Sequence, residues 1–131
     1  MSKLLTLGHS PDPDDAFMFY ALAEHKIDTR GWQFEHILQD IQTLNERATR
    51  GELHISAISI HAYASVLDKY ALLPCGASMG DGYGPRLVST SPAPADPREA
   101  LRGVRVGIPG TLTTAALDER LDIDLDPSLA E

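Results

Sequence analysis

Residues 7–20 of this chain read LGHSPDPDDAFMFY, and this stretch decides the fold. A short apolar strand over residues 4–7 runs into a polar loop, which runs directly into a helix. Asp12 followed by Pro13 is typical of a helix start, because an N-cap acceptor precedes a ring whose φ angle already suits the helix. The loop therefore lies at the carboxyl end of a strand, where open α/β sheets bind their ligands.

The side chains of this loop divide into two groups. Asp14 falls in the first helical turn, where the helix dipole favours negative charge, and we interpret Asp12 and Asp15 as capping residues. Capping explains His9 and Ser10 less well. These two residues are therefore the functional candidates of the loop.

The composition is that of a soluble globular protein with one domain, or one domain and part of another. The 131 residues carry a net charge of −8, which disfavours nucleic acid and anionic membranes as partners. Cys75 is the single cysteine, so no internal disulfide can form. With no signal-peptide pattern and no apolar run of membrane-spanning length, we expect a cytoplasmic protein.

Strand and helix patterns alternate along the chain, which predicts an α/β fold with a parallel-type sheet and flanking helices. The predicted strands cover residues 4–7, 32–38, 54–60, 71–75, 86–91 and 104–108. The predicted helices cover residues 13–25, a segment from the Asp40 cap to residue 50, residues 61–70, and a last segment ending near residue 121.

The proline-rich segment 92–97 is the best candidate for a boundary between lobes. We therefore expect a first lobe over residues 1–91 and a truncated start of a second lobe over 98–121. The acidic tail, residues 122–131, is expected to be disordered. Since one strand and one helix cannot bury their apolar faces alone, residues 104–121 should be poorly packed or should dock on the first lobe.

Five segments lie at or beyond the carboxyl ends of predicted strands and could hold a ligand: residues 9–10, 38–40, 57–59, 78–80 and 111–115. Thr113 and Thr114 lie near a helix start, where unpaired N–H groups attract a carboxylate or a phosphate. A simpler interpretation is that Thr111 caps this helix. The glycine-rich loop 76–84 lacks the Gly-Lys-Ser of a phosphate loop, and turn formation explains it.

Two kinds of enzyme site lack support. The five histidines form no HxxxH pair, so we expect no metal site. No Gly-x-Ser-x-Gly motif is present, so a serine hydrolase is unsupported. His61 follows Ser59 closely enough to face the crevice, although capping or packing would explain it equally well.

Several segments together resemble one family. They are GHSPDPDDAFMFYAL at 8–22, DIQTLN at 40–45, AISIHAY at 57–63, GDGYGPRLV at 80–88, VGIPG at 106–110 and TTA at 113–115. In this order they resemble the 1,4-dihydroxy-6-naphthoate synthases, menaquinone biosynthesis enzymes of the futalosine route.

The resemblance implies a fold like the periplasmic binding proteins of the second type, with two α/β lobes around a cleft. It implies a cytoplasmic lyase without a cofactor, which cleaves cyclic dehypoxanthine futalosine to 1,4-dihydroxy-6-naphthoate and a sugar-derived fragment. The family's substrate contacts correspond here to Ala57, Ile58, Ser59, Thr114 and Ala115. Asn45, Thr113 and Ser10 complete the candidate substrate-binding residues.

The family enzymes are about twice as long as this chain, and the histidine taken as their proton acceptor falls beyond Glu131. We therefore expect a fragment that lacks the base, and no catalytic residue is assigned. The alternative is a module that binds a small carboxylate without chemistry. Calorimetry with aromatic carboxylates, together with a turnover assay, separates the two. The related enzyme that dehydrates chorismate in the same pathway is a weaker alternative.

Overall fold

The structure is a computed structural model that describes residues 3–82, 84, 86, 88, 90, 92, 95, 96, 99 and 101–118. Its elements are β1 (Lys3–His9), α1 (Pro13–Ala23), β2 (Trp32–Leu38), α2 (Ile41–Arg50), β3 (Ile55–Ser56) and α3 (Ile60–Tyr63). Residues 114–118 form a further short helical segment. No helix in these ranges is long and apolar enough to cross a bilayer.

The three strands form one parallel sheet in the order β2-β1-β3. β1 pairs with β2 over its full length, from Lys3 opposite Trp32 to His9 opposite Leu38. β3 pairs only through Ile55 and Ser56. The predicted α/β class with a parallel sheet and flanking helices is thus confirmed. The carboxyl ends of the strands share one edge, which places the loops after His9, Leu38 and Ser56 together.

The core lies where α2 packs on β1. Leu7 of β1 and Leu44 of α2 are buried, with Leu53 and Val66 beside them. Gly8 allows this close approach, because a Cβ there would lie 2.5 Å from Cδ1 of Leu53 and 2.7 Å from Cδ2 of Leu44. The glycine next to His9 is therefore a packing requirement of the strand.

The predicted boundaries of α2 are confirmed. The Asp40 carboxylate accepts a hydrogen bond from the Thr43 N–H at 2.9 Å, as an N-cap should. At the other end, Gly51 takes the left-handed conformation with φ 69°. Hydrogen bonds from the Thr43 hydroxyl and the Thr43 N–H lower the pKa of Asp40 below its ordinary value.

Several predicted elements are wrong in extent or kind. β3 covers two residues of the predicted 54–60, and the predicted helix 61–70 is regular only over α3. Residues 71–75 and 104–108 are not strands. Their apolar, β-branched composition suits a strand, but a strand also needs a neighbour to pair with. Val104, Val106 and Ile108 are accordingly exposed.

Other predictions fall partly or wholly outside the described residues. The predicted strand 86–91 includes 87, 89 and 91, which are not among them, and the segment 92–97 includes 93, 94 and 97. The end of the last predicted helix, residues 119–121, and the whole tail from residue 122 to Glu131 also lie outside. The expected disorder of that tail therefore stays a prediction.

Candidate functional site

The segment 57–59 leaves the sheet at its carboxyl edge. Ala57 donates its N–H to the carbonyl of Gly8 at 2.8 Å, which extends the contact with β1 by one residue. Ile58 then leads to Ser59, the N-cap residue of α3. The Ser59 side chain makes no capping bond, so its hydroxyl is used elsewhere.

Asn45 of α2 engages Ser59 on both its backbone and its side chain. Its Oδ1 accepts the Ser59 N–H at 2.9 Å, and its Nδ2 donates to the Ser59 hydroxyl at 3.0 Å. Asn45 is fully buried at 0% exposure. Because the Ser59 oxygen accepts this bond, its own hydrogen remains available to donate to a ligand. The pair thus presents a hydroxyl whose position is fixed by Asn45.

The same helix holds the backbone of a distant residue, Leu112. Nδ2 of Asn45 donates to the Leu112 carbonyl at 3.3 Å, and the Leu112 N–H donates to Oε1 of Gln42 at 3.1 Å. Both backbone groups of Leu112 are therefore satisfied by carboxamides of α2. We call Gln42, Asn45, Ser59, Leu112 and Thr113 the amide cluster.

Thr113 is the residue of the amide cluster that precedes the helical segment 114–118. Its hydroxyl donates to the Gly110 carbonyl at 2.7 Å and accepts the Ala116 N–H at 3.3 Å, which makes Thr113 the capping residue. The simpler interpretation, in which Thr111 caps, is therefore wrong. Thr113 is buried, whereas Thr114 is exposed. Thr114 is consequently the threonine that can meet a ligand.

His61 of α3 fastens Thr113 from the other side. Its Nδ1 lies 3.0 Å from the Thr113 carbonyl oxygen. Since a carbonyl only accepts, Nδ1 carries the hydrogen and Nε2 of the neutral ring is an acceptor. This bond explains His61 without a ligand.

Ser10 lies at the same sheet edge, but its contacts serve the start of α1. It is buried, its hydroxyl accepts the Asp12 N–H at 3.1 Å, and its own N–H donates to Oδ2 of Asp15 at 2.7 Å. Asp12 occupies the N-cap position without a side-chain capping bond, so its expected capping role is wrong. Asp15 performs the stabilising role instead, from inside the first turn.

His9 and His36, which we call the histidine pair, join β1 to β2. Nδ1 of His9 lies 3.0 Å from the Ser10 carbonyl and therefore donates, so its Nε2 accepts from Nδ1 of His36 at 2.9 Å. The Phe19 ring packs on His9 at 4.5 Å between centroids. Burial first, and then the charges of His9 and His25, lower the pKa of His36.

The histidine pair lies beside a cleft of about 260 Å3, lined by His9, Phe19, Leu38 and side chains of α1. A second surface cleft lies where Asp14 of α1 meets the glycine-rich loop at Ser78. Hydrogen bonding to Ser78 lowers the pKa of Asp14. No group of three or more possible metal ligands occurs among the residues that the structure describes.

The structure therefore brings most of the predicted site residues together. Asn45 bonds to Ser59 and to the carbonyl of Leu112, and Thr113 and Thr114 follow Leu112 directly in the chain. Residues 57–58 lead into the cluster and Ala115 continues from it. Ser10 is placed with the histidine pair instead. Sequence reasoning missed Gln42 and the use of His61, although both lie in segments that the resemblance had marked.

The base expected beyond Glu131 has no counterpart among these positions, because the described residues end at Asp118. Its location therefore stays a prediction. At the amide cluster, the Ser59 hydroxyl can donate to a ligand, while the Asn45 carboxamide holds Ser59 and Leu112 in place.

Comparisons with known proteins bear on these same segments. The sequence profile of the menaquinone biosynthesis family matches residues 5–123. A 1,4-dihydroxy-6-naphthoate synthase from Thermus thermophilus is 41% identical over 113 residues, which are 86% of this chain and 39% of that protein. The synthase of the same name from Streptomyces coelicolor is 41% identical over 117 residues, 89% of this chain and 39% of that protein.

A solved structure shares the fold. The X-ray crystal structure of a protein from Archaeoglobus fulgidus has a TM-score of 0.82 and 46% sequence identity, over 94% of this chain and 44% of that one. The chain thus spans about two fifths of the length of the curated relatives that it matches.

Proposed function

Because this chain belongs to the menaquinone biosynthesis family, we propose that it forms one binding wall of a 1,4-dihydroxy-6-naphthoate synthase. The reaction is the cleavage of cyclic dehypoxanthine futalosine, and the enzyme is a cytoplasmic lyase that needs no cofactor. The supporting observation is that Asn45 bonds to both Ser59 and Leu112 and so brings Ser59 close to the segment that contains Thr113 and Thr114.

In this proposal, the chain binds and orients the substrate. The Ser59 hydroxyl donates to an oxygen of the substrate, because its oxygen accepts from Asn45 and its hydrogen is free to point toward a ligand. Thr114 offers a second, exposed hydroxyl, and the small residues Ala57 and Ala115 set the shape of the wall.

The chemistry itself requires a base outside these residues. A base takes a proton from the sugar part of the substrate, a carbon–carbon double bond forms, and the naphthoate fragment departs with the electron pair of the broken bond. General base assistance contributes about 10²- to 10⁴-fold. We propose that the base is a histidine of a second lobe, beyond the position of Glu131, which faces this lobe across a cleft as in periplasmic binding proteins of the second type.

A chimera tests the proposal. The 113 matched residues of the Thermus thermophilus synthase are replaced by those of this chain, and turnover of cyclic dehypoxanthine futalosine is measured. We expect turnover, and Ser59→Ala should lower kcat/KM by roughly 2- to 10-fold, the worth of one hydrogen bond. Thr114→Val should act in the same direction.

Matched controls are Ser65→Ala and Thr111→Val, which remove hydroxyls at exposed positions outside the cluster. A folded chimera without turnover would contradict the proposal. If the 131-residue chain then still binds an aromatic carboxylate by calorimetry, the binding module without chemistry replaces it. Equal kinetics for Ser59→Ala and Ser65→Ala would remove Ser59 from the site.

A further inference from the structure

Gln42 is oriented unambiguously by its two partners. Its Oε1 accepts the Leu112 N–H at 3.1 Å, while its Nε2 donates to Oε1 of Glu46 at 2.8 Å. Turning the carboxamide over would set an NH₂ group against an N–H and an oxygen against a carboxylate. The side chain therefore has one arrangement that satisfies both neighbours, and it points its acceptor at residue 112.

Gly110 makes room for this arrangement. A Cβ at residue 110 would lie 2.6 Å from Cβ and 2.8 Å from Cδ of Gln42, distances that no real side chain tolerates. The φ angle of Gly110 is 150°, at the edge of the range that favours glycine. The backbone of residues 110–112 thus lies directly against the Gln42 side chain.

Side chains of α2 consequently hold both Ser59 and Leu112, which lie far apart in the sequence. Asn45 holds Ser59, and Gln42 and Asn45 together hold Leu112, one residue before the capping Thr113. The bonds to Leu112 span 67 and 70 residues of sequence. The spacing between the Ser59 hydroxyl and residues 113–115 therefore depends on these carboxamides, together with the His61 bond to the Thr113 carbonyl.

We propose that Gln42 and Gly110 are positioning residues that set the distance between Ser59 and Thr114 for the ligand that both contact. The positioning itself follows from the geometry above. Its consequence for substrate binding rests on the proposed function. Gln42 does not touch the substrate, and it acts through the backbone of Leu112.

Three variants distinguish a positioning role of Gln42 from a general effect on the stability of the fold. Gln42→Met removes the acceptor and keeps a chain of similar length. The double variant Gln42→Glu with Glu46→Gln exchanges the two groups, so that an oxygen still faces Leu112 and an amide still faces a carboxylate. Glu46→Gln alone is the control, since its amide oxygen can still accept from Gln42.

The first measurement is amide hydrogen exchange of Leu112 in the 131-residue chain. We expect Gln42→Met to speed this exchange about tenfold, with the double variant restoring the slow rate. The second measurement is steady-state kinetics in the chimera. Gln42→Met should raise KM about 3- to 10-fold with little change in kcat, because it misplaces binding groups and leaves the base untouched.

Unchanged Leu112 exchange in Gln42→Met would overturn the proposal, and so would failure of the double variant to restore it. A fall in kcat for Gln42→Met without a rise in KM would also contradict it. If the unmodified chimera is inactive, the proposed function fails by itself. The Leu112 exchange rates then still decide whether Gln42 holds the backbone.

Discussion

The two long helices, α1 and α2, begin alike and are used differently. Each follows a strand of the same sheet, and each has an aspartate at its N-cap position, Asp12 or Asp40. α2 buries Leu44, Asn45 and Ala48, whereas α1 has no buried residue. The comparison shows that a helix can begin where its sequence signal predicts even when none of its residues is buried.

The groups that tie these helices to the sheet edge also differ. Around α2, the amide cluster uses neutral carboxamides that bond to backbone groups, and none of its side chains is ionisable. Around α1, the histidine pair joins β1 to β2 through two ionisable rings. We therefore expect the amide cluster to respond to the removal of single polar groups and the histidine pair to respond to pH.

The largest effect is expected for Asn45→Ala. It leaves the Ser59 N–H and the Leu112 carbonyl without their partner inside a buried site, and it opens a cavity. We expect the free energy of unfolding to fall by about 2–3 kcal/mol, measured by urea denaturation.

The control is Thr49→Ala, on the same helix, whose hydroxyl bonds only to the carbonyl of Glu46. It should change the free energy of unfolding by less than about 0.5 kcal/mol. Equal effects of the two substitutions would show that α2 is no better fixed than an exposed helix surface.

The second prediction compares the two N-caps directly. Asp40→Ala removes an acceptor from the Thr43 N–H, whereas the Asp12 side chain caps nothing. We expect Asp40→Ala to lower the urea midpoint several times more than Asp12→Ala. A larger effect of Asp12→Ala would mean that α1 depends on a capping bond absent from this structure.

The pH dependence of this difference has a definite sign. The pKa of Asp40 is lowered in the folded protein from its ordinary value of 3.8. Its contribution is therefore present above that value and is lost as the pH falls through the lowered pKa. The gap between Asp40→Ala and wild type should close in acid.

The smallest effect concerns His36. Its pKa is lowered from an ordinary value of 6.5 in the folded protein, so the unfolded chain binds a proton more readily. The folded state therefore has its full stability from His36 above pH 6.5, and this stability is lost as the pH falls through the lowered pKa of His36. We expect His36→Asn to flatten the fall in urea midpoint between about pH 7 and pH 5. Parallel curves for both proteins would show that the histidine pair does not sense pH.

The predictability of the fold depended on local signals. The bounds of α2 could be predicted because the Asp40 carboxylate and the left-handed Gly51 act within one turn of the helix. The strands at 71–75 and 104–108 could not be excluded from sequence, because strand formation depends on a neighbouring edge that composition does not reveal. The capping role assigned to Asp12 failed because Asp15 reaches the loop from inside the helix.

The site was predictable only in part. Ser59 was proposed from its position at a strand end as well as from the family resemblance. Asn45 was proposed from the resemblance alone, although a residue-level signal also existed. Asn45 lies between Leu44 and Ala48 on the apolar stripe of α2, and a polar residue in such a stripe must find buried partners. Gln42 carries no such signal, because its partner is a backbone group 70 residues away. The contact between His9 and His36 depends on the register of β1 and β2, which could not be predicted from the sequence.

β1 is the central strand of the sheet, and it is synthesised before either of its neighbours. Thr6 and its contact His54, at the seam between β1 and β3, are 48 residues apart. At roughly 5–20 residues per second, about 2–10 s elapse between the synthesis of the two. During that interval one edge of the central strand has no neighbour, so nascent chains are most open to chaperones before residue 56 has left the exit tunnel.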